Sequence, residues 1–152
     1  MGKQDDLSVL LDEAVLMRGR YASKERFFES LALWLMESGY VEENYGDALK
    51  AREDSFPTGL ELPNGSICIP HTEPGFVKRD GLAIVLFDRP LKFRSMEDPE
   101  KLLDAQAAFA LFIADSSRHL QFLQRVVRAI QTPDLLSRLD SAIPRTDDQL
   151  AV

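Results

Sequence analysis

The sequence lacks several features that are typical of secreted and membrane proteins. Its single cysteine, Cys68, cannot form an internal disulfide, which favours a reducing compartment. No apolar run approaches the roughly 20 residues that a membrane-spanning helix needs. The N-terminus also lacks the apolar core of a signal peptide. These absences predict a cytoplasmic protein without direct membrane insertion.

Basic residues are also in short supply. The chain has 18 Lys and Arg against 25 Asp and Glu, which gives a net charge of −7. This balance argues against a nucleic-acid binder, because such proteins need a surplus of cations against phosphates. A length of 152 residues with 45% hydrophobic content suits one domain with one core. We expect a single domain over 1–152, with a core at about 7–143 and a solvated tail at 144–152.

Helical patterns alternate with short apolar runs along the chain. Ser23 can cap a helix that ends near Ser38, and Ser116 or Ser117 can cap another that ends at Ile130. Further helices are predicted at 42–53 and from Thr132-Pro133-Asp134 through Leu139. Strands are predicted at 14–17, 67–69, 81–87 and 107–114, with a short edge strand at 91–93 and a loop at 96–104.

The run 81–87 is continuously apolar, which is typical of a strand buried on both faces. Helices that alternate with such strands indicate an α/β protein. We therefore expect a single-domain layered fold, in which a mixed β-sheet is flanked by helices on both faces.

The most informative residue is His71, one of two histidines in the chain. It follows a short apolar run and Pro70, which stiffens the backbone that leads into it. A neutral imidazole is a good nucleophile toward phosphorus near neutral pH, and phosphohistidine remains reactive enough to pass the group on. We interpret His71 as the phosphate-carrying residue of a phosphotransfer protein. The alternative is a structural histidine that closes a strand.

A phosphoryl carrier needs one imidazole nitrogen held in place, cationic or N–H groups near the phosphoryl oxygens, and an open surface for a second protein. Arg52, near the end of a predicted helix, is the first candidate for a phosphate contact because its guanidinium matches phosphate geometry. Thr58 and Thr72 could add hydroxyl donors. The alternative for Arg52 is a solvated charge that the helix dipole favours.

His119 is the second candidate at the site. It lies in the predicted first turn of a helix, where the positive end of the dipole disfavours imidazolium. Unpaired N–H groups in the same turn could also bind phosphate oxygens. The alternative is a histidine near a helix cap that has no catalytic role.

Other chemistries fit the sequence less well. Cys68 and His71 are three residues apart, so strand alternation sends them to opposite faces and disfavours a metal site. A Gly-x-Ser-x-Gly elbow is absent, which argues against a hydrolase of that type. A Gly-rich phosphate loop is absent too, which argues against a nucleotide-using kinase. We expect neither a metal nor a cofactor.

Two segments together resemble a known family. The segment 67–73, ICIPHTE, resembles the phosphorylation motif of the fructose/mannitol-type (type 2) enzyme IIA domains of the bacterial sugar phosphotransferase system. The segment 51–60, AREDSFPTGL, resembles the stretch that precedes that motif in galactitol-like members. The likeness extends from the 21–40 helix region to Leu139, and the family fold is a mixed sheet covered by helices on both faces.

The resemblance implies a phosphotransferase component that acts through a phosphohistidine. His71 would accept a phosphoryl group from the phosphocarrier protein HPr and donate it to a cysteine of a cognate enzyme IIB, for uptake of a sugar or sugar alcohol. It also implies that Arg52 lies in the active site and that His119 stabilises the phosphoryl group. The alternative within the family is a regulatory, nitrogen-related phosphoprotein, in which phosphorylation of His71 controls binding to partner proteins.

The chain departs from the mannitol and fructose pattern at one position of the motif. Those members usually have Gly after the motif histidine, whereas this chain has Thr72, as some galactitol-like proteins do. The segment 93–99, FRSMEDP, also favours the galactitol-like branch.

Overall fold

The computed structural model describes residues 5–144, which contain five α-helices and five strands. The elements in chain order are α1 (Asp6–Glu13), β1 (Val15–Gly19), α2 (Lys24–Glu37), α3 (Tyr45–Ser55), β2 (Gly59–Leu62), β3 (Gly65–Cys68), β4 (Gly81–Arg94), β5 (Leu102–Phe112), α4 (Ser116–Ile130) and α5 (Leu135–Ala142). A short 3₁₀ turn, Pro74–Phe76, lies between β3 and β4.

The strands form one sheet in the order β1-β4-β5-β3-β2. The central pair, β4 and β5, is antiparallel, as is the β2–β3 hairpin at one edge. The pairs β1–β4 and β3–β5 are parallel. The sheet is therefore mixed, as predicted.

Strand β4 shows how the helices come to cover both faces. Its side chains alternate, so Ala83, Val85 and Phe87 join one buried cluster, whereas Leu82, Ile84 and Leu86 join the other. Helices α2 and α3 complete the first cluster, which is rich in aromatic rings. Helices α1, α4 and α5 complete the second. Because each fully buried large apolar side chain contributes about 1.5–3 kcal/mol, both faces stabilise the fold. The predicted fold class is confirmed.

The prediction of a separate edge strand at 91–93 was wrong. These residues belong to β4, which is an inner strand of the sheet and pairs with β5 on both sides of a register shift between Leu86 and Leu91. The shift accommodates Pro90, which cannot donate a ladder hydrogen bond. The predicted loop 96–104 is also too long, because β5 begins at Leu102. Its first residues alternate between exposed and buried, so no continuous apolar run marks them.

Several other boundaries differ from the predictions. Helix α1 and strand β2 were not predicted. Helix α3 begins at Tyr45, not Glu42, because Val41 pairs with Val77 and the Glu42 N–H donates to the Phe76 carbonyl.

The C-terminal predictions concern a short helix and a solvated tail. Helix α5 begins at Leu135 and follows Asp134, which has a positive φ of 60° and no capping hydrogen bond from its side chain. Of the predicted solvated tail, 145–152 lie outside the described residues. Within 5–144, no helix is long and apolar enough to cross a membrane.

Candidate functional site

The sheet topology brings the two histidines together. Because β3 and β5 are parallel, their carboxyl ends meet at the same edge of the sheet. His71 follows β3, and α4, which carries His119, follows β5. A hydrogen bond from the Leu111 N–H to the Pro70 carbonyl, at 3.0 Å, continues the pairing beyond β3. The two imidazole rings lie 5.1 Å apart between centroids, with an angle of 53° between their planes.

The hydrogen bonding of His71 defines which ring nitrogen is available. Its Nδ1 lies 2.8 Å from the carbonyl oxygen of Ile69. A carbonyl can only accept, so Nδ1 carries the hydrogen and Nε2 keeps its lone pair in the neutral ring. This bond meets the first requirement of a carrier, because it orients Nε2 as the nucleophile.

The surroundings keep both rings neutral. Burial lowers the pKa of His71, and the nearby His119 and Arg52 lower it further, although the hydrogen bond to Ile69 opposes this shift. Burial and Arg52 likewise lower the pKa of His119. Since both pKa values lie below the ordinary histidine value, both imidazoles are uncharged at neutral pH and Nε2 of His71 stays nucleophilic.

Arg52 lies in the last turn of α3 beside the histidines. Its guanidinium packs over the exposed ring of Phe56, at 4.3 Å, and its Nη1 donates to Oε1 of Glu73 at 3.1 Å. Its buried Nε has no hydrogen-bond partner. The side chain is thus already paired with an anion, while its buried Nε–H donor has no partner among the described residues.

Arg52, His71, Glu73 and His119 share one open cleft with a volume of about 260 Å³. The cleft combines an oriented nucleophile with one permanent cation and a second imidazole. Such a site can receive a dianionic group and release it again, because nothing encloses it. Its remaining lining residues are Thr72, Pro74, Ser116 and Leu120.

The two candidate threonines occupy different places. Thr72 lines the cleft, and its hydroxyl donates to the carbonyl of Glu73 at 2.9 Å. Thr58 is buried below the cleft, where its hydroxyl donates to Glu53 and accepts from the Ile69 N–H. Both hydrogen bonds of the Thr58 hydroxyl are therefore buried in the interior, and Thr58 does not line the cleft.

The N-terminus of α4 is capped differently from the prediction. The cap is Asp115, not Ser116 or Ser117, and its carboxylate accepts the Ser117 N–H at 2.9 Å. This hydrogen bond lowers the pKa of Asp115. One of the N–H groups expected to be available for phosphate is thus occupied by the cap.

Two acidic residues at the site were not singled out from the sequence. Glu73 pairs with Arg52, and Glu53 holds Thr58. Glu73 stands two residues after His71, so its place in the motif could have indicated a role. Glu53 gives a weaker signal, because an acidic residue in a polar helix end is normally solvated.

Cys68 packs into the core and has no part in the cleft. Burial raises the pKa of its thiol well above the usual value, and the thiol faces the Ala107 carbonyl at 3.7 Å. Among residues 5–144, no group of three or more His, Cys, Asp and Glu side chains is arranged to hold a metal ion.

Comparisons with known proteins identify the relatives of this chain. Residues 8–149 match the family model described as "Phosphoenolpyruvate-dependent sugar phosphotransferase system, EIIA 2". The chain is 27% identical over 105 residues to the galactitol-specific EIIA component of Escherichia coli strain K12, which covers 69% of each chain.

Solved structures with this fold include the complex of mannitol enzyme IIA with phosphorylated enzyme IIB from E. coli. The match has a TM-score of 0.66 and 23% identity, and it covers 88% of this chain and 89% of that one. The nitrogen regulatory protein IIA-Ntr from Neisseria meningitidis matches with a TM-score of 0.61 and 22% identity, over 90% and 88% of the two chains.

Proposed function

Because the chain belongs to the EIIA 2 family of the phosphoenolpyruvate-dependent sugar phosphotransferase system, whose members are phosphotransferases that act through a phosphohistidine, we propose that His71 carries the phosphoryl group. Phosphorylated HPr supplies the group, and a cysteine of a cognate enzyme IIB receives it, in the cytoplasm. The hydrogen bond between Nδ1 of His71 and the Ile69 carbonyl carries this proposal, because it leaves Nε2 free.

In the first transfer, the lone pair of Nε2 attacks phosphorus while the bond between phosphorus and the donor breaks. The Nδ1 hydrogen stays in place, so the phosphorylated ring gains positive character. The Ile69 carbonyl, 2.8 Å away, stabilises that charge. No proton has to leave the ring, which keeps the step reversible.

The neighbouring groups stabilise the developing negative charge. Arg52 offers its guanidinium donors to the phosphoryl oxygens, and His119 lies within reach of them, given the 5.1 Å separation of the rings. Glu73 already pairs with one donor of Arg52, so the arriving phosphoryl group competes with this carboxylate for the guanidinium. Thr72 contributes through the shape of the cleft wall.

In the second transfer, a thiolate of enzyme IIB attacks the same phosphorus and Nε2 leaves. This requires a partner protein to approach the cleft closely. The open cleft supports such an approach, as do two exposed apolar side chains beside it, Phe56 and Leu120, each 60% exposed. Apolar groups that surround a polar reacting centre are suited to a transient docking surface.

We propose that the pathway served is sugar or sugar-alcohol uptake. The relative from E. coli strain K12 is galactitol-specific, and the residues of segment 51–60 point the same way. A regulatory role as in IIA-Ntr uses the same histidine. The two roles differ in whether His71 passes the phosphoryl group to a cysteine of enzyme IIB. Genes for sugar-specific IIB and IIC components beside the gene for this protein would favour uptake.

The proposal is tested by incubating the protein with enzyme I, HPr and phosphoenolpyruvate, followed by intact-mass measurement. We expect one acid-labile phosphoryl adduct on the natural chain and none on His71→Ala. Circular dichroism of the variant controls for folding. Full labelling of folded His71→Ala would reject the assignment.

A further inference from the structure

Glu53 is a buried carboxylate that the transfer chemistry above does not use. It lies in the last turn of α3, directly after Arg52, and is only 3% exposed. Burial raises its pKa, whereas the hydrogen bonds from Thr58 and the nearby Lys24 lower it. A carboxylate in this setting needs a reason to be there, because burying a charge is costly unless it is well paired.

Both oxygens of Glu53 are bound by a single residue. Oε2 accepts the Thr58 N–H at 2.7 Å, and Oε1 accepts the Thr58 hydroxyl at 2.8 Å. An acceptor-only group suits this place, because Thr58 presents two donors side by side. An amide of the same shape offers one oxygen, so one Thr58 donor would face an NH₂ group.

Thr58 transmits this restraint to the segment that precedes His71. The Ile69 N–H is shared between the carbonyl and the hydroxyl oxygen of Thr58, at 3.2 Å each. On the other side, the Pro70 carbonyl accepts the Leu111 N–H. The Ile69-Pro70 segment is therefore held from both sides, and its remaining carbonyl, that of Ile69, faces Nδ1 of His71.

We propose that Glu53 and Thr58 are positioning residues, which hold the Ile69 carbonyl where it selects the Nδ1–H tautomer of His71 and so presents Nε2 for phosphoryl transfer. The same pair links α3, and with it Arg52, to the His71 segment. The phosphate-contacting cation and the nucleophile thus share one anchor. This inference rests on the proposed function of His71.

Three variants test the proposal. Thr58→Val removes the hydroxyl at nearly constant volume, Thr58→Ser keeps it, and Glu53→Gln removes one acceptor. ¹⁵N NMR of the imidazole nitrogens reports the His71 tautomer in the unphosphorylated protein, without any partner. The rate of phosphorylation by HPr is measured on the same samples. Matched controls are Thr132→Val, beyond the far end of α4, and Glu61→Gln, whose exposed carboxylate pairs with Lys101.

We expect Thr58→Val and Glu53→Gln to populate the Nε2–H tautomer of His71 and to slow phosphorylation roughly three- to tenfold, the effect of one lost hydrogen bond. Thr58→Ser should restore both readouts, and both controls should behave as the natural protein. If Thr58→Val fails to fold, Glu53→Gln and Thr58→Ser carry the test.

An unchanged tautomer in folded Thr58→Val or Glu53→Gln would overturn the positioning role. This outcome differs from failure of the function itself, in which the natural chain is not phosphorylated although its tautomer is well defined. Slower transfer with an unchanged tautomer would also count against the proposal, because the pair would then act through general stability.

Discussion

The two ends of helix α4 border depressions with very different chemistry. At its N-terminus lies the open cleft of about 260 Å³ that holds Arg52, His71 and His119. Near its C-terminus lies a larger cavity of about 360 Å³, between the β2–β3 turn and the α4–α5 connection. Apolar side chains such as Leu135 and Leu136 line much of that cavity, and Asp134 is the ionisable residue of its lining.

The comparison shows that the chemistry of a site indicates its function better than the volume does. The larger cavity is more enclosed, but no imidazole and no cationic side chain of the described residues line it. The smaller cleft has an oriented imidazole, a cation and a second imidazole at the carboxyl ends of two parallel strands. A residue that passes a group between two proteins needs exposure and charge, and the smaller cleft provides both.

Replacement of Arg52 should affect transfer most among the neighbours of His71. A lost charge-assisted contact costs about 1.5–3 kcal/mol, so Arg52→Ala should transfer phosphate at least tenfold more slowly if the contact forms in the transition state. The pKa values of both histidines should rise, because a nearby cation is gone. Stopped-flow kinetics measure the transfer rate, and NMR titration measures the pKa values of the histidines. Unchanged rates would show that Arg52 is only a solvated charge without a role in transfer.

His119 should have a smaller effect. His119→Ala should leave His71 phosphorylatable but slow the transfer several-fold, and His119→Gln, which retains a donor, should recover part of the rate. The pKa of His71 should rise in His119→Ala, since the second imidazole lowers it. If phosphorylation of His71 leaves the NMR signals of the His119 ring unchanged, the two rings do not cooperate.

Glu73 should have a still smaller effect, in the opposite direction. Its carboxylate pairs with Arg52 in a partly exposed ion pair, and such pairs contribute about 1 kcal/mol or less. Glu73→Gln removes the competitor of the phosphoryl group, so the transfer equilibrium with HPr should shift toward phosphorylated protein by up to about fivefold. Asp104→Asn, which breaks a remote surface pair with Lys92, is the control and should leave the equilibrium unchanged.

A change at the opposite end of α4 should have the smallest effect on transfer. Leu136→Ala enlarges the apolar cavity, so it should lower the thermal midpoint of unfolding while the rate of phosphorylation stays within twofold of the natural protein. A large loss of rate in this variant, with the fold intact, would contradict the contrast between the two ends of α4. The cavity would then have a role in transfer.

The sequence predicted the elements whose pattern is local. The apolar run 81–87 forms the first half of β4, an inner strand of the sheet. Ser23 caps α2 through a hydrogen bond from the Arg26 N–H. Strand β2 was missed because its four residues alternate too briefly for a periodic signal. The extent of β4 was missed because Pro90 looks like a strand end, whereas the register shift tolerates it.

The candidate site, too, was predictable only where the signal is local in the sequence. Arg52, His71 and His119 were identified from the sequence as candidates, and the structure brings them into one cleft. The arrangement of Thr58 could not be predicted, since it depends on a carboxylate five residues earlier that turns inward from the end of α3. Nor could the pairing of Glu73 with Arg52, which joins residues 21 positions apart through the tertiary fold.

The most direct test of the account is the position of phosphorus on the phosphorylated ring of His71. Combined ³¹P and ¹⁵N NMR of the phosphorylated protein distinguishes the two nitrogens. The hydrogen bond to the Ile69 carbonyl predicts a phosphoryl group on Nε2, with the hydrogen retained on Nδ1. A phosphoryl group on Nδ1, or on a residue other than His71, would contradict the account.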